Sequence, residues 1–202
     1  MAIQINGDGT ITGISAGGLP AGSVTTATLA DGAATGSKLG SGSIIQTQSF
    51  IFTSVTESFT GQGYHATSIT KQITPTSASN KILVMATLSA GNGGGVGEGA
   101  AFKVMRSVAG GSYTETVALG DAIGNCTRGA VGGLYDENEV EHTDCRSIQF
   151  IDTPNTTSAV DYKIYAYVFD GSQPILINRP NTTTAGEHIT GTSSLILMEI
   201  AA

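Results

Sequence analysis

The side chains most able to do chemistry crowd into one stretch: Asp136, Glu137, Glu139, Glu141, His142 and Asp144 fall within nine residues. Carboxylates beside a histidine offer the hard oxygen donors that suit Ca²⁺ or Mg²⁺, so Asp136, Glu139, Glu141, His142 and Asp144 are the candidate metal ligands. Their spacing fits no EF-hand loop, and no Gly stands at the tight-turn position. The competing reading is a solvated acidic loop with no catalytic role.

The other candidates are weaker. Glycoside hydrolysis needs a pair of carboxylates flanking a sugar-binding groove, but this chain has no Trp to stack on sugar rings, only six Tyr and six Phe. GNGGGVGEG (91–99) has the glycines of a phosphate loop. It lacks the Lys-Ser/Thr that must follow, and no helical pattern succeeds it, so it reads as a flexible loop. No CxxC pair, HExxH or nucleophile elbow is present, and the sequence implies no cofactor. His65, His142 and His188 are far apart. One of them near a symmetry axis would be repeated by each copy and hold a metal or an anion. Tyr64 and Tyr135 each combine an apolar body with a polar tip, and each reads equally as a receptor contact or as a packing residue. Cys126 and Cys145 are either two buried thiols or one disulfide closing an 18-residue loop. Such a bridge would add roughly 3 kcal/mol, in an oxidising compartment.

The elements that must carry these residues follow from composition. Of 202 residues 28 are Gly, and only 12% are charged, about half the usual share. Gly, Ser and Thr together fill over a third of the chain. Helical bundles need the charged helix formers missing here. Collagen needs Gly at every third position, and disordered tails lack the 40% apolar content found here. A turn-rich β protein remains. Nine Lys and Arg against sixteen Asp and Glu give a net charge of -7, and no basic cluster is present, so nucleic acid is excluded as a partner. No run of about 18 apolar residues exists to cross a membrane as a helix. The N-terminus MAIQINGDGT lacks the cationic start and apolar core of a secretory signal, which implies synthesis in a cytoplasm.

Composition shifts near residue 45. Residues 1–44 hold no aromatic and only three charges, Asp8, Asp31 and Lys38. Such a segment cannot bury enough area to fold alone. It carries a ten-residue period: Gly22, Gly32 and Gly42 are in register, as are Val24, Ala34 and Ile44, and Leu19, Leu29 and Leu39. Two and a half copies are fewer than a monomeric solenoid usually needs, so the missing burial could come from two neighbouring chains; the competing reading is a flexible Gly/Ser linker, against which the regular Leu spacing argues. Short helical turns at 25–30 and extended strands both remain open.

Beyond residue 44 the alternation of apolar and polar residues predicts strands at 44–53, 66–74, 81–89, 101–107, 113–119, 146–152, 160–169, 174–178 and 193–200. That is a sandwich or jelly-roll count with no helix. Two strands are apolar on both faces. In 81–89, Ile82, Val84, Ala86 and Leu88 oppose Leu83 and Met85; in 194–200, Leu195 and Leu197 oppose Ile196, Met198 and Ile200. A sandwich strand needs only one apolar face, so the second means either a central buried strand or a strand at a subunit interface, and a tail that also needs partners favours the interface.

The N-terminal phrase GDGTITGISAGGLPAGSVTTATLADGAATGSKL (7–39) resembles the opening of tailed-phage appendage proteins, particularly those of marine and cyanobacterial phages. ITPTSASNKILVMATLSAG (73–91), AFKVMRS (101–107), FIDTPNTTSAVDYKIYAY (150–167), LINRPNTT (176–183) and GTSSLILMEI (191–200) continue the likeness. Residues 108–149 match no motif of that family. The resemblance implies a virion protein, either a tail fibre or a head fibre decorating the capsid, and a homotrimer.

The expectation is therefore an all-β protein in two parts. Residues 1–44 form a thin repeat stem that attaches to other virion proteins, and residues 45–202 form a β-sandwich or jelly-roll-like head. The head adheres to a host surface glycan or protein, without catalysis. The alternatives are a capsid decoration protein and, from another class, a small carbohydrate-degrading spike.

Overall fold

The computed structural model describes residues 4–5, 11–12, 39–93, 100–132, 142–169, 171, 173–182, 184 and 189–202. The decads before residue 39 lie outside these residues, as do Tyr135, Asp136, Glu137, Glu139, Glu141 and His188. The chain divides into two units, Met1–Leu39 and Gly40–Ala202. In the first, β1 (Gln4–Ile5) pairs antiparallel with β2 (Ile11–Thr12).

The second unit is all-β, with no helix among the described residues. Its long strands are β3 (Ile44–Phe52), β5 (Gly63–Ile73), β6 (Lys81–Asn92), β7 (Ala100–Val108), β10 (Asp144–Asp152), β11 (Val160–Val168) and β13 (Ser193–Ile200). Short pieces complete the sheets: β4 (Ser58–Phe59), β8 (Thr114–Glu115), β9 (Val131–Gly132) and β12 (Ile175–Ile177). All pairings are antiparallel. In the six-stranded sheet β6 is central: β10 runs along one edge, while β13 and then β12 share the other. β3 lies outside β13, and β4 outside β12. In the five-stranded sheet β11 sits between β5 and β7, and the outer edge of β7 carries β8 and β9.

The two sheets share one core. Ile82, Val84, Ala86 and Leu88 of β6 and Leu195 and Leu197 of β13 meet Ile69, Ile73, Phe102, Val104, Tyr162 and Ile164 of the facing sheet. The strict alternation of β11, VDYKIYAYV, buries every second residue, as one-sided burial requires. Where β11 meets β5 the register shifts between Lys163 and Tyr165. There the buried Thr67 hydroxyl donates to Ile164 O and accepts from Ile69 N, pairing backbone groups that the irregularity would orphan.

A cross-sheet clasp sits in this core. Asp152 of β10, 1% exposed, accepts from Arg106 Nη1 of β7 at 2.7 Å and from Tyr162 OH of β11 at 2.8 Å. Burial, and then the Asp152 charge, raise the Tyr162 phenol above its ordinary value.

Several expectations are corrected. β6 runs on through Gly91 and Asn92, into what the sequence presents as the start of a flexible loop, because β12 supplies ladder partners there. Of the strand expected at 113–119 only Thr114–Glu115 pairs with β7; beyond it the Thr116 hydroxyl takes Val104 O instead. Both cysteines are free and exposed, neither buried nor bridged. Cys145 is an exposed outward position of the edge strand β10.

Candidate functional site

The outer face of the five-stranded sheet gathers Tyr64, Tyr113, Tyr165, Tyr167 and Phe169. With Val160, Tyr162, Ile164, Ala166 and Val168 turned into the core, the alternation of β11 sends Lys163, Tyr165 and Tyr167 outward. Register sets Tyr167 between Tyr64 of β5 and Ala101 of β7, and Tyr165 between Ala66 and Lys103. The small Ala residues beside each Tyr leave room for its ring.

The rings interlock. Tyr64 meets Tyr167 edge-on at 4.8 Å between centroids, and Tyr167 meets Phe169 edge-on at 4.9 Å. Tyr113 lies 6.1 Å from Tyr165. These are the favoured geometries for quadrupolar rings. Phe169 is 39% exposed at one end of the row.

Cations order the same surface. Lys103 Nζ stands 3.9 Å over the Tyr64 ring and 2.9 Å from Glu115 Oε1. Its chain lies along the sheet at 8% exposure, so the ammonium depends on both partners. Arg128 Nε donates to Gly120 O at 2.7 Å, and Nη1 lies 3.7 Å from Glu115. Tyr64 OH donates to Arg128 O. Lys163 Nζ lies 5.1 Å from the Tyr113 ring.

Two acidities shift here. Burial, reinforced by the Glu115 charge, pushes the Tyr64 phenol up to about 12. It therefore stays neutral and remains a donor at ordinary pH. The Lys103 hydrogen bond lowers the Glu115 carboxyl; burial opposes this, and the Lys103 and Arg128 charges reinforce it. Both groups are committed to holding the surface in place. What remains to meet a ligand is a rigid row of rings at Tyr113, Tyr165, Tyr167 and Phe169 with the Lys163 ammonium beside it. Such a surface can stack and hydrogen-bond with little entropy to lose.

The other sequence candidates sit elsewhere. Asp144 pairs with Arg146 at 2.7 Å, and His142 lies just before β10 with its carbonyl close to Gly91. The described residues contain no group of three or more His, Cys, Asp or Glu able to hold a metal; Asp136, Glu139 and Glu141 are outside them. His65 stacks on Phe59 at 5.6 Å, and its Nε2 lies 2.8 Å from Gly61 O. Tyr64 was legible in the sequence as a surface aromatic, but its hydroxyl and one ring face are engaged within the chain. The residues that sequence reasoning missed are Tyr113, Tyr165, Tyr167, Phe169, Lys103 and Lys163. Alternation in VDYKIYAYVF places Tyr165, Tyr167 and Phe169 on one face. Nothing local places Tyr113 beside them.

No family model matches this chain, and no curated protein matches it. The fold and this surface define an all-β, two-sheet head with an aromatic and cationic outer face.

Proposed function

We propose that this chain is a structural, non-enzymatic protein of a tailed-phage particle: a homotrimeric tail fibre that attaches to other virion proteins through its N-terminal segment and adheres to a host surface glycan or protein through its head. The observation that carries the adhesive role is the row of Tyr113, Tyr165, Tyr167 and Phe169 on a rigid sheet, since Tyr-rich rigid surfaces are the commonest recognition anchors. The absence of catalysis is supported by the uses of the buried carboxylates: Asp152 joins the sheets, and Glu199 closes a loop. The stem role rests on the aromatic-free decads.

The test uses labelled full-length protein and host cells. Replacing Tyr165 and Tyr113 by Ala should weaken cell binding by about tenfold or more through the loss of two anchoring rings, with an unchanged melting profile. Undiminished binding overturns the adhesive role of this face. Antibody-labelled micrographs of the particle then decide between the tail and the capsid; label on the capsid makes the chain a decoration protein.

A further inference from the structure

The outer face of the six-stranded sheet is divided. Odd-numbered residues of β6 point outward, opposite the core set Ile82, Val84, Ala86 and Leu88. Register places Ile151, Leu83 and Met198 side by side, then Gln149, Met85, Ile196 and Ser49, then Ser147, Thr87, Ser194 and Ile51. At the far end the same face carries Ser89 and Leu176, each 1% exposed, because the chain covers it with its own return. Asn178 N donates to Ser89 O at 2.9 Å, Gly191 lies against Ser89, and Arg179 and Pro180 lie against Gly91. At the near end Leu83, Met85, Ile196 and Met198 are half-buried rather than covered like Ser89. Ile51 is 67% exposed and Ile151 51%.

We infer that this open end is an interface between copies of this chain. The inference deepens the homotrimer part of the reading above and rests on it. Three observations select a second copy as the occupant. The first is charge. The rows from Ile151 to Ile51 contain no charged residue; Lys81 stands at the margin, paired with Ile200. Copies of a chain with net charge -7 meet with less repulsion through a face that itself carries no charge than through an acidic one. The second is position. The chain enters the head at this end: Gly42 N donates to Ala201 O and Ala201 N to Ser43 O, both at 2.9 Å. Ile44, 55% exposed, is both the first residue of β3 and the last member of the Val24–Ala34–Ile44 register. An apolar stripe that needs neighbouring copies therefore leads in sequence onto a face with the same need. The third is area. Four strands about 4.8 Å apart and about six residues long cover roughly 400 Å². That lies within the about 300–600 Å² of the largest patch on a typical protein surface, which is often functional, and it is half of the roughly 800 Å² per partner of a stable interface.

The test is sedimentation of the full-length protein with two outward substitutions, Met85→Glu and Ile196→Glu, and one control, Val117→Glu, at a 70% exposed position. Wild type and control should sediment at about three times the 20.5 kDa chain mass. Both Glu variants should dissociate at protein concentrations at least tenfold higher than wild type. A parallel measurement needs no mutation. In the wild-type oligomer Met85 and Met198 should oxidise with peroxide several-fold more slowly than Met105, which lies on the outer face of the other sheet. A trimer unaffected by either Glu substitution, or in which the three Met react alike, places the interface elsewhere and leaves the trimer reading standing. A wild-type monomer overturns both. Should the Glu variants fail to fold, the methionine rates decide.

Discussion

Glu199 is wholly buried at the pole where the chain enters the head, and it offers the sharpest test of how this fold is held. Its Oε1 accepts from Thr76 N at 2.6 Å, Thr76 Oγ1 at 2.8 Å and Asn80 Nδ2 at 2.7 Å; its Oε2 accepts from Gln46 Nε2 at 2.7 Å. Asn80 Oδ1 in turn accepts from Ala202 N. Burial raises the Glu199 carboxyl, but these hydrogen bonds together outweigh it and hold the group below the usual carboxylate range. In Glu199→Gln one oxygen keeps its three donors. The new amide nitrogen then faces the Gln46 amide, donor to donor; the flipped amide sets a donor against three. At least one charge-assisted bond is lost, worth about 1.5–3 kcal/mol, and the others lose their charge assistance. The expected cost is roughly 2–4 kcal/mol, a fall in Tm on the order of 10 °C for a domain of this size. The sign with pH follows from the lowered folded pKa. The stabilisation is present above the unfolded carboxyl value of about 4.3 and disappears as pH falls through the folded value. Thermal melts of wild type and variant at one protein concentration, from pH 7 down to pH 3, should show the gap widest at pH 7 and closing in acid. A gap under about 0.5 kcal/mol at pH 7, within the scatter of neutral surface changes, or one that stays constant with pH, refutes the assignment.

Two further outcomes follow from the same contacts. Asp152→Asn leaves the Arg106 guanidinium opposite a neutral amide between the sheets. Because Arg106 keeps 26% of its side chain exposed, the cost should fall near the lower end of the about 3–5 kcal/mol for a broken buried pair; a denaturant midpoint within error of wild type would count against the clasp. Gly91→Ala would set a methyl 2.6 Å from the backbone carbonyl of Arg179 and 3.0 Å from that of His142. Backbone on both sides cannot swing away, so roughly 1–3 kcal/mol should be lost with no change in net charge, read by the same melts.

The strands were legible where one face alone meets the core. β3, β7, β10, β11 and β13 lie within two residues of the stretches their alternation predicts. The two- and three-residue pieces β4, β8, β9 and β12 are set mostly by what runs beside them, since so few residues carry no period of their own; only the stretches around β8 and β12 stood out. Strand 81–89 was legible as apolar on both faces and hence as either a central strand or an interface strand; that β6 is central, and that the chain's own return covers one end of its outer face, came only from the structure. Tyr165 and Tyr167 share a side by alternation, whereas Tyr113 reaches Tyr165 from 52 residues away in sequence.

The sequence by itself determined an all-β chain, most of its long strands, the decad register before residue 45 and the scarcity of charge, because composition and short-range period act through neighbours along the chain. Only the tertiary structure decided which apolar face is core, which aromatics stand together, and that a glutamate is buried within LILMEI. A carboxylate can leave water only where enough donors converge on it. Those around Glu199 come from Gln46, Thr76 and Asn80, 119 to 153 residues away in sequence, and no local pattern in the chain records such a meeting.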